Sequence, residues 1–62
     1  MPIIQVNMFE GRTLDQKRAL VANMTDAVVK SLNVKQDDVR IIIQEMARQD
    51  YAIAGVLAAD KK

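Results

Sequence analysis

Three positions carry the residue types from which this 62-residue chain could build a reaction: Pro2, Arg12 and Arg40. The chain opens Met1-Pro2-Ile3-Ile4, and an initiator methionine is ordinarily trimmed when the next residue is as small as proline. Trimming leaves Pro2 with a free secondary amine, which is both a base and a nucleophile. The same nitrogen acylated inside the chain is neither. To accept a proton near neutral pH, the amine needs its basicity lowered. Apolar surroundings do this by disfavouring the ammonium form, and nearby cations do it by repulsion. Ile3, Phe9, Tyr51 and Ile53 could supply the apolar surroundings, and an arginine or two the charge. The plainer alternative is that Pro2 starts an edge strand, where its missing N–H does no harm.

Arg12 lies just ahead of a helix start, where a cation opposes the helix dipole and is disfavoured by about 0.3–1 kcal/mol when exposed. Its two readings are a solvated loop charge and, with the helix-start amides, an anion site for a carboxylate ligand. Arg40 interrupts an otherwise apolar run, Val39-Arg40-Ile41-Ile42-Ile43. It is an exposed strand end, a partner of Asp37 or Asp38 in a salt bridge, or a second anion clamp. Glu10, Asp15 and Glu45 are possible carboxylate bases, but no close pair marks acid–base work. Tyr51 reads more simply as hairpin core than as an acid. The chain has neither histidine nor cysteine, so Ser-His-Asp and Cys-His arrangements cannot be built and the usual zinc ligands are missing. No phosphate-binding glycine motif is present.

The elements that must position these residues follow from periodicity. Residues 2–9 alternate as a strand, with Ile4, Val6 and Met8 on an apolar face and Ile3, Gln5, Asn7 and Phe9 on a mixed one. Glu10-Gly11-Arg12 reads as a turn. Thr13 and Gln16 form a capping-box signature that starts a helix at Leu14. Leu20, Val21, Met24, Ala27, Val28 and Leu32 make its apolar stripe, and Asn33 suits the left-handed residue after its end at Leu32. Lys35 to Asp38 is a loop or a short turn. The β-branched run Val39–Met46 predicts a second strand buried on both faces. Strand, helix and strand make a βαβ unit with parallel strands and a right-handed crossover. After a polar break at 47–50, Tyr51 to Ala58 predicts a short hairpin around Gly55, with Lys61-Lys62 as a frayed end.

The expected fold class is therefore α/β, a single domain over residues 1–62. A chain this short buries only about 60 % of its unfolded surface, so a lone protomer is marginal. With disulfides and the usual zinc ligands removed by composition, oligomerisation is the remaining support. One helix leaves the other sheet face and the edges open, which invites sheets to merge between subunits. Nine basic and eight acidic residues are interspersed, which gives no nucleic-acid footprint. The eight-residue apolar run at 52–59 is far short of the roughly 20 needed to span a bilayer, and the N-terminus is no signal peptide. The expectation is a cytoplasmic homo-oligomer.

Taken together, these residues resemble the 4-oxalocrotonate tautomerase family over nearly the whole chain. The resemblance rests on Pro2 after the initiator Met1, on Phe9-Glu10-Gly11-Arg12-Thr13 followed by Asp15-Gln16-Lys17, on Val39 through Met46, and on Tyr51-Ala52-Ile53-Ala54-Gly55. It implies a β-α-β protomer with a C-terminal hairpin, usually assembled as a hexamer (a trimer of dimers), with no metal or organic cofactor. It implies that Pro2 is the general base that carries a proton between oxygen and carbon in a dienol. Arg12 matches the arginine that binds the distal carboxylate of the substrate. Arg40 matches the one that engages the 2-hydroxy or 2-oxo group and its neighbouring carboxylate. In the family these arginines come from neighbouring subunits. Tyr51 takes the place of an aromatic, usually Phe, and Ala52 and Ala54 stand where several relatives have glycine. Asn7 replaces a histidine seen in well-known members.

The implied substrate is a small oxo or hydroxy acid such as 2-hydroxymuconate, with Pro2 as base, Arg12 and Arg40 as clamps, and Phe9, Tyr51 and Ile53 as the apolar wall. Two alternatives differ in class. One is a tautomerase of another enol acid of the phenylpyruvate type, or a dehalogenating relative for which no water-activating carboxylate can be placed. The other is a catalytically silent oligomerisation module.

Overall fold

Thr13 and Asn33 bound the helix as their side chains require. In the computed structural model, which describes residues 1–61, helix α1 runs Leu14–Leu32. Thr13 Oγ1 accepts from the Gln16 amide at 3.1 Å, and Gln16 Oε1 accepts from the Thr13 amide at 3.0 Å. This reciprocal pair satisfies two amides that the first turn otherwise orphans. At the far end Asn33 is left-handed, with φ 56° and ψ 47°, and its N–H closes on the Val29 carbonyl at 3.0 Å.

Strands β1 (Ile3–Phe9) and β2 (Arg40–Met46) pair in parallel, with Ile3 opposite Arg40 and Phe9 opposite Met46. The pairing runs on at both ends: the Arg40 amide donates to the Pro2 carbonyl at 3.0 Å and the Glu10 amide to the Met46 carbonyl at 2.9 Å. A single 3₁₀ turn, Gln36–Asp38, fills the loop before β2. A second, Arg48–Asp50, makes the polar break after it. Strands β3 (Ala52–Ile53) and β4 (Val56–Leu57) form an antiparallel hairpin with Ile53 opposite Val56. Its two central residues, Ala54 and Gly55, have φ of 53° and 83°. Positive φ at both positions is the mark of a type I′ turn, which suits the twist of a hairpin but strains the alanine. The Ala58 amide closes the foot of the hairpin on the Tyr51 carbonyl at 2.8 Å. Ala58–Asp60 then adds a 3₁₀ turn where the sequence predicts no further element, and Lys62 of the expected frayed end lies outside the described residues.

Two expectations need correction. The strand β2 is not buried on both faces. Ile41 and Ile43 are half-buried under α1, whereas Ile42 keeps 49 % of its surface, because one helix covers only one side of the sheet. The helix stripe is also rotated from the expected one. Lys17, Leu20, Val21, Met24, Thr25, Val28 and Val29 are half-buried, while Ala27 and Leu32 are exposed. Lys17 belongs to the covered face because its ammonium meets Glu45 of β2 at 2.7 Å, so its stem packs while its charge is paired.

The protomer is an open plate. No described residue is fully buried, and the surface is 5073 Å² where a compact 6.9-kDa protein exposes about 4,000 Å². Its radius of gyration, 14.8 Å, exceeds the roughly 11 Å of a compact 62-residue domain. The uncovered sheet face carries Ile3, Gln5 and Asn7 from β1 and Arg40, Ile42 and Gln44 from β2. No helix among the described residues is long and apolar enough to cross a membrane.

Candidate active site

Parallel register sets where the candidate residues lie. Pro2 and Arg40 share one end of the sheet, with the Arg40 amide on the Pro2 carbonyl. Arg40 is on the uncovered face with Ile3 and is exposed. Its guanidinium donates to the main-chain carbonyl of Asp37, one turn back, and not to either neighbouring carboxylate. That bond anchors the side chain through one of five N–H groups and leaves the others available to an anion. Pro2 is half-buried, and in this chain its nitrogen is joined to Met1.

The opposite end of the sheet holds the aromatic residues. Phe9 and Tyr51 meet edge to face, with centroids 5.4 Å apart and an interplanar angle of 87°. Arg48 lies over the Phe9 ring, 4.6 Å from its centroid. With Ile53, Val56 and Lys61 these residues line an open cleft of about 550 Å³. Tyr51 is therefore no hairpin core residue; it packs on Phe9 and stays substantially exposed.

Arg12 stands apart from both groups. It is exposed at the turn before α1 and borders a shallow depression with Met8, Gln16, Lys17 and Leu20. Two of the carboxylates considered as bases are already matched: Asp15 pairs with Arg18 at 2.9 Å and Glu45 with Lys17. Neither described ion pair involves Arg12, Arg40 or Arg48. The carboxylates considered as bases are thus partly committed to lysine or arginine, whereas the candidate anion-binding arginines hold no acid.

Seven residue steps separate Pro2 from Phe9. At about 3.3 Å per residue this is roughly 23 Å of strand. One chain therefore brings Pro2 to Arg40, and Phe9 to Tyr51 and Ile53, but does not bring the two groups together. A site using both must draw them from different copies. Arg48 falls in what the sequence predicts to be only a polar break, so nothing there marks it as part of a cleft. The available signal was only an arginine three residues before the aromatic Tyr51.

A parallel βαβ plate with a short antiparallel C-terminal hairpin is the fold of a small tautomerase-type protomer. Residues 2–61 match the family model described as tautomerase enzyme, and the chain belongs to that family. Within it the chain stands with the 4-oxalocrotonate tautomerases. It is 40 % identical over 60 residues to a "probable tautomerase" of Listeria monocytogenes, covering 97 % of this chain and 98 % of the relative. Among solved structures, it is 52 % identical to one of the 4-oxalocrotonate tautomerase isozymes from Methylibium petroleiphilum, at a TM-score of 0.91 over 94 % of this chain and 91 % of that one. A heterohexamer 4-oxalocrotonate tautomerase from Chloroflexus aurantiacus superposes at a TM-score of 0.92 with 29 % identity and full coverage of both chains.

Proposed function

We propose that the chain is an isomerase that moves a proton between the enol oxygen and a carbon of a 2-hydroxy-dienoate such as 2-hydroxymuconate. The observation that supports this reading is the main-chain pairing of Pro2 with Arg40, which brings the residue whose amine is exposed by loss of Met1 and an arginine that holds no acid to one sheet end. The Pro2 nitrogen accepts the proton of the 2-hydroxyl while the carbon–oxygen bond becomes a carbonyl. The resulting dienolate takes the proton back from the prolyl ammonium at C3 or C5, so the reaction needs no external oxidant or reductant. An Arg40 engages the 2-oxo group and the adjacent carboxylate and an Arg12 the distal carboxylate, both from neighbouring copies on the family's pattern. Bidentate guanidinium–carboxylate bonds hold such an acid in place, and fixed positive charge at the developing oxyanion is the larger catalytic contribution.

Assembly completes the site in this reading. The excess surface, the uncovered face of the sheet and the roughly 23 Å between Pro2 and the Phe9–Tyr51 cleft all support a homo-oligomer. A hexamer is the form we propose, on the pattern of the Chloroflexus relative. Ketonisation of 2-hydroxymuconate by wild type, Pro2→Ala and Arg40→Ala proteins tests the reading. Loss of at least a hundredfold in kcat/KM in each variant is expected, and undiminished rates in both would sink it.

A further inference from the structure

The cleft beside Tyr51 contains charge that the proposed mechanism does not use. Arg48 and Lys61 both line it, and no acidic residue does. Among the described residues no hydrogen bond or ion pair engages the Arg48 head, even though Asp50 is two positions away. What holds Arg48 is the Phe9 ring beneath it, and Phe9 is in turn braced by the edge-to-face contact with Tyr51. A guanidinium over an aromatic face is positioned without consuming its N–H donors, which stay available for a planar anion. An ammonium would be held less well there, because it lacks the flat face. The rest of the wall, Ile53 and Val56 with Phe9 and Tyr51, is apolar and suits a flat unsaturated chain.

We infer that Arg48 is a specificity-determining residue, a further cation that receives the carboxylate remote from the reacting enol and makes the site select dianionic over monoanionic unsaturated acids. This inference rests on the reading of the Phe9–Tyr51 cleft as a wall of the substrate site, but not on Pro2 acting as the base. Arg48 holds and selects; it takes no part in the proton transfer.

A matched pair of unreactive ligands isolates the effect. The diacid trans,trans-muconate and the monoacid sorbate share one conjugated chain and differ by a single carboxylate. Neither carries a hydroxyl to ketonise, so calorimetry on the assembled protein reads binding alone. Arg48→Met keeps a stem over Phe9 and removes the charge. It should weaken muconate about tenfold, as expected for a lost hydrogen bond to a charged group, and sorbate less than twofold. Arg48→Lys restores the charge and should bring muconate back to within about threefold of wild type. The inference is overturned if Arg48→Met weakens both ligands equally or neither, or if Arg48→Lys binds muconate no better than Arg48→Met. A Pro2→Ala protein separates the two readings: if it still turns over 2-hydroxymuconate the base assignment fails, while the muconate-to-sorbate preference still reports on Arg48.

Discussion

Arg40 shows how a single side chain can be structural and reactive together. Its amide extends the β1–β2 ladder to Pro2 and its guanidinium caps the Asp37 carbonyl, so the head is held near the sheet end before any substrate arrives. Arg40→Ala should therefore leave folding nearly unchanged, since the side chain is exposed, and cost kcat about 10²–10³, as removal of one oxyanion donor does. Steady-state kinetics beside thermal unfolding would separate the two effects. Tyr51→Phe keeps the ring on Phe9 and removes only the hydroxyl, which has no hydrogen-bond partner among the described residues. Rates on 2-hydroxymuconate within twofold of wild type are expected, and a larger loss would assign the hydroxyl a substrate contact. With an amine as the base, kcat/KM should fall tenfold per pH unit on the acid side, because the ammonium form cannot accept a proton. A flat acid limb would point away from Pro2.

At the scale of elements, the helix was legible to the residue and the sheet only in part. Thr13, Gln16 and Asn33 announce their positions through local chemistry, and α1 begins and ends where they place it. Thr13→Ala should accordingly cost about 1 kcal/mol of stability, measured by denaturant unfolding at fixed protein concentration. Which side of the helix packs was less legible. Lys17 reads as polar, yet it pairs with Glu45 on the covered face, while Ala27 and Leu32 lie exposed. The Ile41-Ile42-Ile43 run implied burial on both faces, although a single chain can cover only one. Arg48 was invisible for a similar reason: cation–π contacts depend on neighbours distant in sequence, here Phe9. In the hairpin, Ala54 occupies a left-handed position at φ 53°. Ala54→Gly relieves that strain but frees the unfolded chain, for a net gain of about 0.5–1 kcal/mol. No gain in thermal midpoint would mean that the turn is less constrained than its dihedral angles indicate.

At the scale of the molecule, the plate needs partners for two reasons that share one geometry. Its surface exceeds that of a compact chain by about a quarter, and its aromatic cleft lies a strand's length from Pro2. If assembly supplies both burial and a complete site, stability and activity should fall together on dilution, because association stabilises by mass action. Ile42, half-exposed on the uncovered face, is the point to test. Ile42→Glu should shift the protein to smaller species in sedimentation and abolish turnover, although no residue of the proposed chemistry is altered. A monomeric Ile42→Glu protein with full activity would contradict a shared site. This level was the least legible in sequence, since Pro2, Phe9 and Tyr51 could be listed as one environment without any sign that one chain keeps them apart.

The central claim is that the amine of Pro2 must be free, and one peptide bond decides it. Protein with Met1 removed, verified by intact mass, should ketonise 2-hydroxymuconate at least a hundredfold faster than the same assembled protein with Met1 retained. Equal rates from the two forms would show that the Pro2 nitrogen is not the base.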